Sequence, residues 1–163
     1  MKASRLRWLF SLYFPFLGAG IRVDRISPDF SEIDVSMKLT FWNKNYVGTH
    51  FGGSLYSMVD PFYMLILMRR LGPHYIVWDQ AAKIDFLRPG KSQVFAYFRL
   101  PDGLLEQIKT QAATGDAVRP ELVVEVVDAD GQVIARVNKT LYVRLKPEHR
   151  PPAAAEISRP NQE

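Results

Sequence analysis

The chain has 163 residues, 47% of them hydrophobic and 23% charged, enough for one well-buried core and one domain. Its formal charge of +4 arises from 21 basic against 17 acidic residues; the basic ones are scattered, which suits an anionic small ligand or weak membrane contact and supplies no basic helix or aromatic-basic repeat for nucleic acid. With no cysteine, and with His50, His74 and His149 lacking metal-ligand spacing, disulfides, thiol nucleophiles and cysteine-ligated zinc are excluded and no metal site is expected.

Residues 1–17 are basic at Lys2, Arg5 and Arg7 and then apolar from Trp8 to Leu17. Such a start resembles a secretory signal, but the stretch is short, rich in aromatics and broken by Pro15, and Gly18-Ala19-Gly20 is a poor cleavage site. An N-terminal helix, packed or lying where it can touch a membrane, fits better. No run attains the roughly 18 uninterrupted apolar residues of a spanning helix, so the expected protein is soluble and cytoplasmic.

Gly18 and Gly20 release the chain into a strand over 21–26, a turn at Ser27-Pro28-Asp29 and a second strand over 32–39. Ile33, Val35, Met37 and Leu39 alternate there with Glu32, Asp34, Ser36 and Lys38, the period of a half-buried strand, and the two strands should form an antiparallel hairpin. Residues 40–51 read as loop. A long, apolar helix follows and stops where Arg69-Arg70 precede Gly72-Pro73. Strands are predicted over 75–87 and 93–100 around Arg88-Pro89-Gly90, a helical insertion within 102–115, and strands over 121–127 and 132–144 joined by Asp128-Ala129-Asp130-Gly131. Residues 147–163 read as a disordered tail, leaving one domain over 1–146. A helix apolar on nearly all faces, with about six strands alternating around it, implies an α+β architecture: a curved antiparallel sheet wrapped about that helix.

The segment Asn45 to Asp60 carries the chemistry. It sets an amide, a glycine pair at Gly52-Gly53 and a lone carboxylate at the start of the apolar helix, whose Leu55, Met58, Val59, Phe62, Leu65 and Ile66 mark a buried element. A buried, unpaired carboxylate is costly, so Asp60 needs a cap, a partner or a catalytic duty. Asp-Pro is also a common helix start, with Asp60 as N-cap and Pro61 first in the helix. If the helix instead begins near Gly53, Pro61 falls in its third turn and should leave a kink and a free carbonyl.

The order of elements and this segment resemble the hotdog fold and the active-site motif of its acyl-CoA thioesterases of the phenylacetyl-CoA and medium-to-long-chain type. Those enzymes read Asn-x-x-Gly-x-x-His-Gly-Gly and, seven residues on, Asp; Asn45, Gly48, Gly52, Gly53 and Asp60 fall at that spacing, and Lys83 to Gly90 is similar to the family's third strand and closing turn. The motif His is Phe51 here, with His50 one position early, as in a bacterial branch of the superfamily, and Asp79 stands where relatives often carry Ser or Thr to position water. The alternative for Asp79 is an ordinary surface position; beside Asp60 it would make a coupled acid pair.

The resemblance implies thioester hydrolysis without metal or bound cofactor, coenzyme A entering only with the substrate. Asp60 would be nucleophile or general base, Asn45 would orient water or substrate, and the Gly52 amide would hold the oxyanion. Gly53, Phe51, His50, Tyr63, Lys83 and Arg88 would line the substrate, the cations facing the coenzyme phosphates, with Lys91 a further candidate and Tyr56 and Met64 beside the acyl tail. It also implies a homodimer with sites shared between copies, and dimers that can pair into tetramers. Two other readings stay open: a non-catalytic hotdog module that binds an acyl or aromatic ligand, and an acyl-thioester dehydratase or hydratase with His50 as base.

Overall fold

The structure, a computed structural model, describes residues 2–151. Its elements are α1 (Ala3–Ser11), α2 (Phe14–Ala19), β1 (Ile21–Ile26), β2 (Glu32–Met37), α3 (Gly52–Ser57), α4 (Phe62–Leu71), β3 (Tyr75–Phe86), β4 (Val94–Arg99), α5 (Leu104–Ala112), β5 (Glu121–Asp128) and β6 (Val133–Leu145). The strands form one six-stranded sheet in the order β1-β2-β4-β5-β6-β3, antiparallel at every pairing. It curves around the central helix in the hotdog fold.

The predicted hairpin of β1 and β2 pairs Ile21 with Met37 and Ile26 with Ile33. The β5–β6 turn closes as its sequence requires: Asp128 Oδ1 accepts the amides of Asp130 and Gln132, and Gly131 takes the left-handed φ of 78°. The core lies between the concave sheet face and α4, which buries Phe62, Tyr63, Ile66, Leu67 and Leu71 against Phe98, Val126 and Leu141.

Three expectations need correction. The long helix is two helices: α3 stops at Ser57 and α4 starts at Phe62, with Pro61 in the N-cap position. Pro61 has no N–H to offer the preceding turn, so the axis breaks there. The N-terminal helix likewise divides at Leu12-Tyr13, just before the Phe14-Pro15 pair that opens α2. Of the tail expected to be disordered from 147 onward, the first residues are structured, because Pro147–His149 form a turn of 3-10 helix and Arg150 Nε donates to the Leu145 carbonyl at 2.9 Å; residues 152–163 lie outside the described residues.

Candidate functional site

Asp60 sits at the break between α3 and α4, and no side-chain cap is made to α4. Its partner is a residue the sequence reading passed over. Lys139, on β6, has none of its side chain exposed, whereas Asp60 keeps 47%. The ammonium donates to Asp60 Oδ1 at 3.0 Å, to the Asp60 carbonyl at 3.0 Å and to Tyr56 Oη at 3.4 Å. It also lies 3.1 Å from Asp79 Oδ1, an ion pair by distance that lacks hydrogen-bond alignment. Its three N–H donors are thus fully used.

Strand geometry explains the meeting. Successive β6 residues alternate between faces, so Ala135, Val137, Lys139, Leu141 and Val143 share the buried side. That phase was legible: a lysine in an apolar series. On β3, Ala82 stands opposite Lys139 and Asp79 opposite Leu141, with Gln80 as the extra residue of a bulge between them. The bulge shifts the phase by one, turning Asp79 inward to the ammonium where regular pairing would have placed Gln80.

Burial works to depress the Lys139 ammonium, but the Asp60 hydrogen bond and the Asp79 and Asp60 charges outweigh it and hold it above its ordinary 10.5. Burial raises the Asp79 carboxyl above its ordinary value; the lysine offsets part of that rise and the Asp60 charge adds to it. The Tyr56 phenol is pushed up by burial and then by its neighbour Asp60. The cluster is therefore two carboxylates on one buried cation, with the Asp60 side chain still reaching solvent.

The other expected residues gather elsewhere. Asn45, His50, Gly52 and Arg88 line a cleft of 310 Å3 with Thr49 and Gly90, and neither Asp60 nor Asp79 borders it. Asn45 is saturated within its own loop: Oδ1 accepts the Val47 and Thr49 amides, and Nδ2 donates to Thr49 Oγ1 and the His50 carbonyl. His50 is buried, bonds the Ser92 carbonyl through Nε2 at 2.8 Å and leaves Nδ1 without a partner. Burial lowers its pKa, the Ser92 bond opposing. Nε2 therefore carries the proton, and the ring ties the loop to the 90–92 turn.

The glycine pair serves close approach. A side chain at Gly52 would meet the Phe86 ring at 3.0 Å, and one at Gly53 would run into Phe51. Gly53 and Phe51 border an adjoining cleft beside α2. Tyr63 belongs to the core, its hydroxyl donating to the Val123 carbonyl at 2.8 Å and its pKa pushed up to about 12 by burial. Lys83 is exposed on β3 and paired with Asp85 at 3.1 Å, while Arg88 is exposed and donates to the Val133 carbonyl. One copy thus holds an acid cluster and a glycine-lined cleft as separate features.

Comparison with known proteins agrees with this fold. The protein of unknown function PA5026 from Pseudomonas aeruginosa, a probable thioesterase, superposes with a TM-score of 0.78 at 18% identity, covering 90% of this chain and 97% of that one. The thioesterase HI1161 from Haemophilus influenzae gives 0.62 at 17% identity, over 91% and 94%. The PaaI protein of the E. coli phenylacetic acid degradation operon gives 0.58 at 18%, over 88% and 92%. No curated protein matches significantly. A family profile described as a domain of unknown function, DUF4442, matches residues 3–143. The chain, a hotdog protein whose inner acid rests on a buried lysine, therefore belongs to the DUF4442 family.

Proposed function

We propose that this protein hydrolyses acyl thioesters, coenzyme A being the expected carrier, with Asp60 as the acting carboxylate. The observation that carries the reading is the half-exposed Asp60 side chain fixed at the helix break by a wholly buried ammonium. That one ammonium bonds both the carboxylate and the carbonyl of Asp60, and is itself held by Tyr56 and Asp79. The neighbouring Asp79, its carboxyl raised by burial, adds support, because perturbed carboxylates are concentrated at reactive sites.

In the general-base form, Asp60 takes a proton from water as the oxygen adds to the thioester carbon. The resulting oxyanion is held by the Gly52 amide, a first-turn donor with no partner inside its helix. Collapse expels the thiolate, which recovers the proton from Asp60. Asn45 acts as a positioning residue for the loop that carries Gly52, and Arg88 and Lys83 are the cations for the coenzyme phosphates.

Because the acid cluster and the glycine cleft are separate within one copy, the reading requires two copies. The edge strand β3, exposed at Ala81, Ala82 and Lys83, is the surface for edge-to-edge pairing, the acid of one copy meeting the cleft of the other. A second reading, a binding module without turnover, has its own support: the Phe51 and Phe86 rings crowd the glycines, and Asn45 has no free donor or acceptor.

One panel separates them. Thiol release from short, long and aromatic acyl-CoAs should fall about 100-fold or more in Asp60→Asn, with circular dichroism unchanged. Turnover equal to the parent's sinks the hydrolase reading. Ligand binding without turnover in either protein establishes the module.

A further inference from the structure

The two N-terminal helices bury only a narrow seam. Leu6 and Phe16 are buried, and Phe10 stacks on Phe16 at 5.4 Å while Phe16 lies 5.9 Å from Phe62, docking the segment onto the central helix. The rest of their apolar surface faces outward. Phe14 is 84% exposed and Trp8 63%, with Leu12, Tyr13 and Leu17 also exposed. Among the described residues nothing covers this face, and contiguous exposed apolar surface of this kind marks a docking site.

The face continues onto the loop before α3. A cleft of 380 Å3 is bordered by Pro15 and Gly18 of α2 and by Trp42, Lys44 and Phe51. Trp42 and Phe51 are exposed. Asn43 fixes that loop against α2, its Nδ2 donating to the Ala19 carbonyl at 2.9 Å and the Lys38 carbonyl at 2.7 Å. The apolar surface is thus held in one piece.

Its charge is predominantly positive. Lys2, Arg5 and Arg7 are exposed on α1 or beside it and Lys44 borders the cleft, while Asp24, at the margin beside Lys2 and Arg7, has its carboxylate paired with Arg22 at 3.7 Å. Trp and Tyr beside a polar boundary, apolar side chains between them and cations at the margin are the pattern of an interfacial helix. Neither helix is long and apolar enough to cross a membrane.

We infer that this face docks on an anionic phospholipid bilayer, α1 and α2 lying in the interface with Phe14 and Leu17 toward the acyl chains and Lys2, Arg5 and Arg7 among the headgroups. A second copy is the poorer occupant. Self-pairing across a twofold axis opposes the same patch on each side and brings its four cations, Lys2, Arg5, Arg7 and Lys44, against like charges, with Asp24 at the margin already paired with Arg22.

The test is flotation of the full chain with vesicles of phosphatidylcholine alone or with phosphatidylglycerol added, at low and high salt. Binding to the phosphatidylglycerol vesicles, reversed by salt, is expected. The double variant Arg5→Glu with Arg7→Glu should lower partitioning by about 30-fold or more, and Phe14→Ser with Leu17→Ser should abolish it, each with an unchanged melting curve. Absence of binding to either vesicle overturns the proposal, as does equal binding before and after charge reversal. Loss of oligomeric mass in the Phe14→Ser, Leu17→Ser variant, without vesicle binding by the parent, assigns the face to a second copy instead. Hydrolysis of a soluble short-chain acyl-CoA needs no vesicle, so failure here leaves the thioesterase reading standing.

Discussion

Position 139 puts a charged side chain where β6 otherwise supplies only apolar ones, and its neighbours Asp60 and Asp79 give it a reason to be there. Removing one partner of such a cluster leaves unbalanced charge and an empty slot. Lys139→Ala should therefore cost about 3 kcal/mol in urea denaturation, the acids' partial exposure limiting the loss. Lys139→Met, which refills the volume, should cost less. If the alanine variant is as stable as the parent, the cluster is not structural. The titrations add a directional test. Asp79, raised above its ordinary 3.8, contributes stability that is complete below 3.8 and is lost as pH rises through its folded value. Asp79→Asn lacks that loss, so its melting temperature relative to the parent should climb from about pH 4 to pH 7. A flat difference refutes it. Lys139, also raised, contributes below 10.5 and loses that contribution as pH climbs through its folded value.

Among the elements, the break between α3 and α4 decides where Asp60 points. In one continuous helix the Asp60 carbonyl would be taken by the amide four residues on; at the break it accepts Lys139 instead. Pro61→Ala restores the missing N–H and lets the helix close. The expected result is a shift in melting temperature of a few degrees at most together with a fall of about tenfold in thioester turnover, since the acid loses its fixed orientation. Unchanged turnover would show that the break does no positioning. The strand bulge at Gln80 has a similar function, aiming Asp79 at the same cation.

For the whole molecule, β3 is a 12-residue edge with Ala81, Ala82 and Lys83 exposed. Long exposed edges invite pairing. Light scattering should accordingly give a multiple of the 18.7 kDa chain mass. Proline at 81 or 82, whichever amide faces outward, should halve that mass and abolish turnover together. A catalytically competent monomer would refute the shared site.

The sequence by itself determined the six strands and the end of the central helix, because strand and helix follow from periods of side chains a few residues apart: the alternation of β2, the Asp128–Gly131 turn and the stop at Gly72-Pro73 are all local signals. Spacing also indicated the break at Pro61 and marked Asp60 and Gly52 as candidates. What only the tertiary structure decided is which charges meet. Lys139 is 79 residues from Asp60 in the chain, and their contact depends on sheet order, strand phase and one bulge, none of which a local period encodes. Asn45 and His50 show the same limit from the other side: residue types suited to chemistry are committed to loop bonds that appear only once the chain has folded.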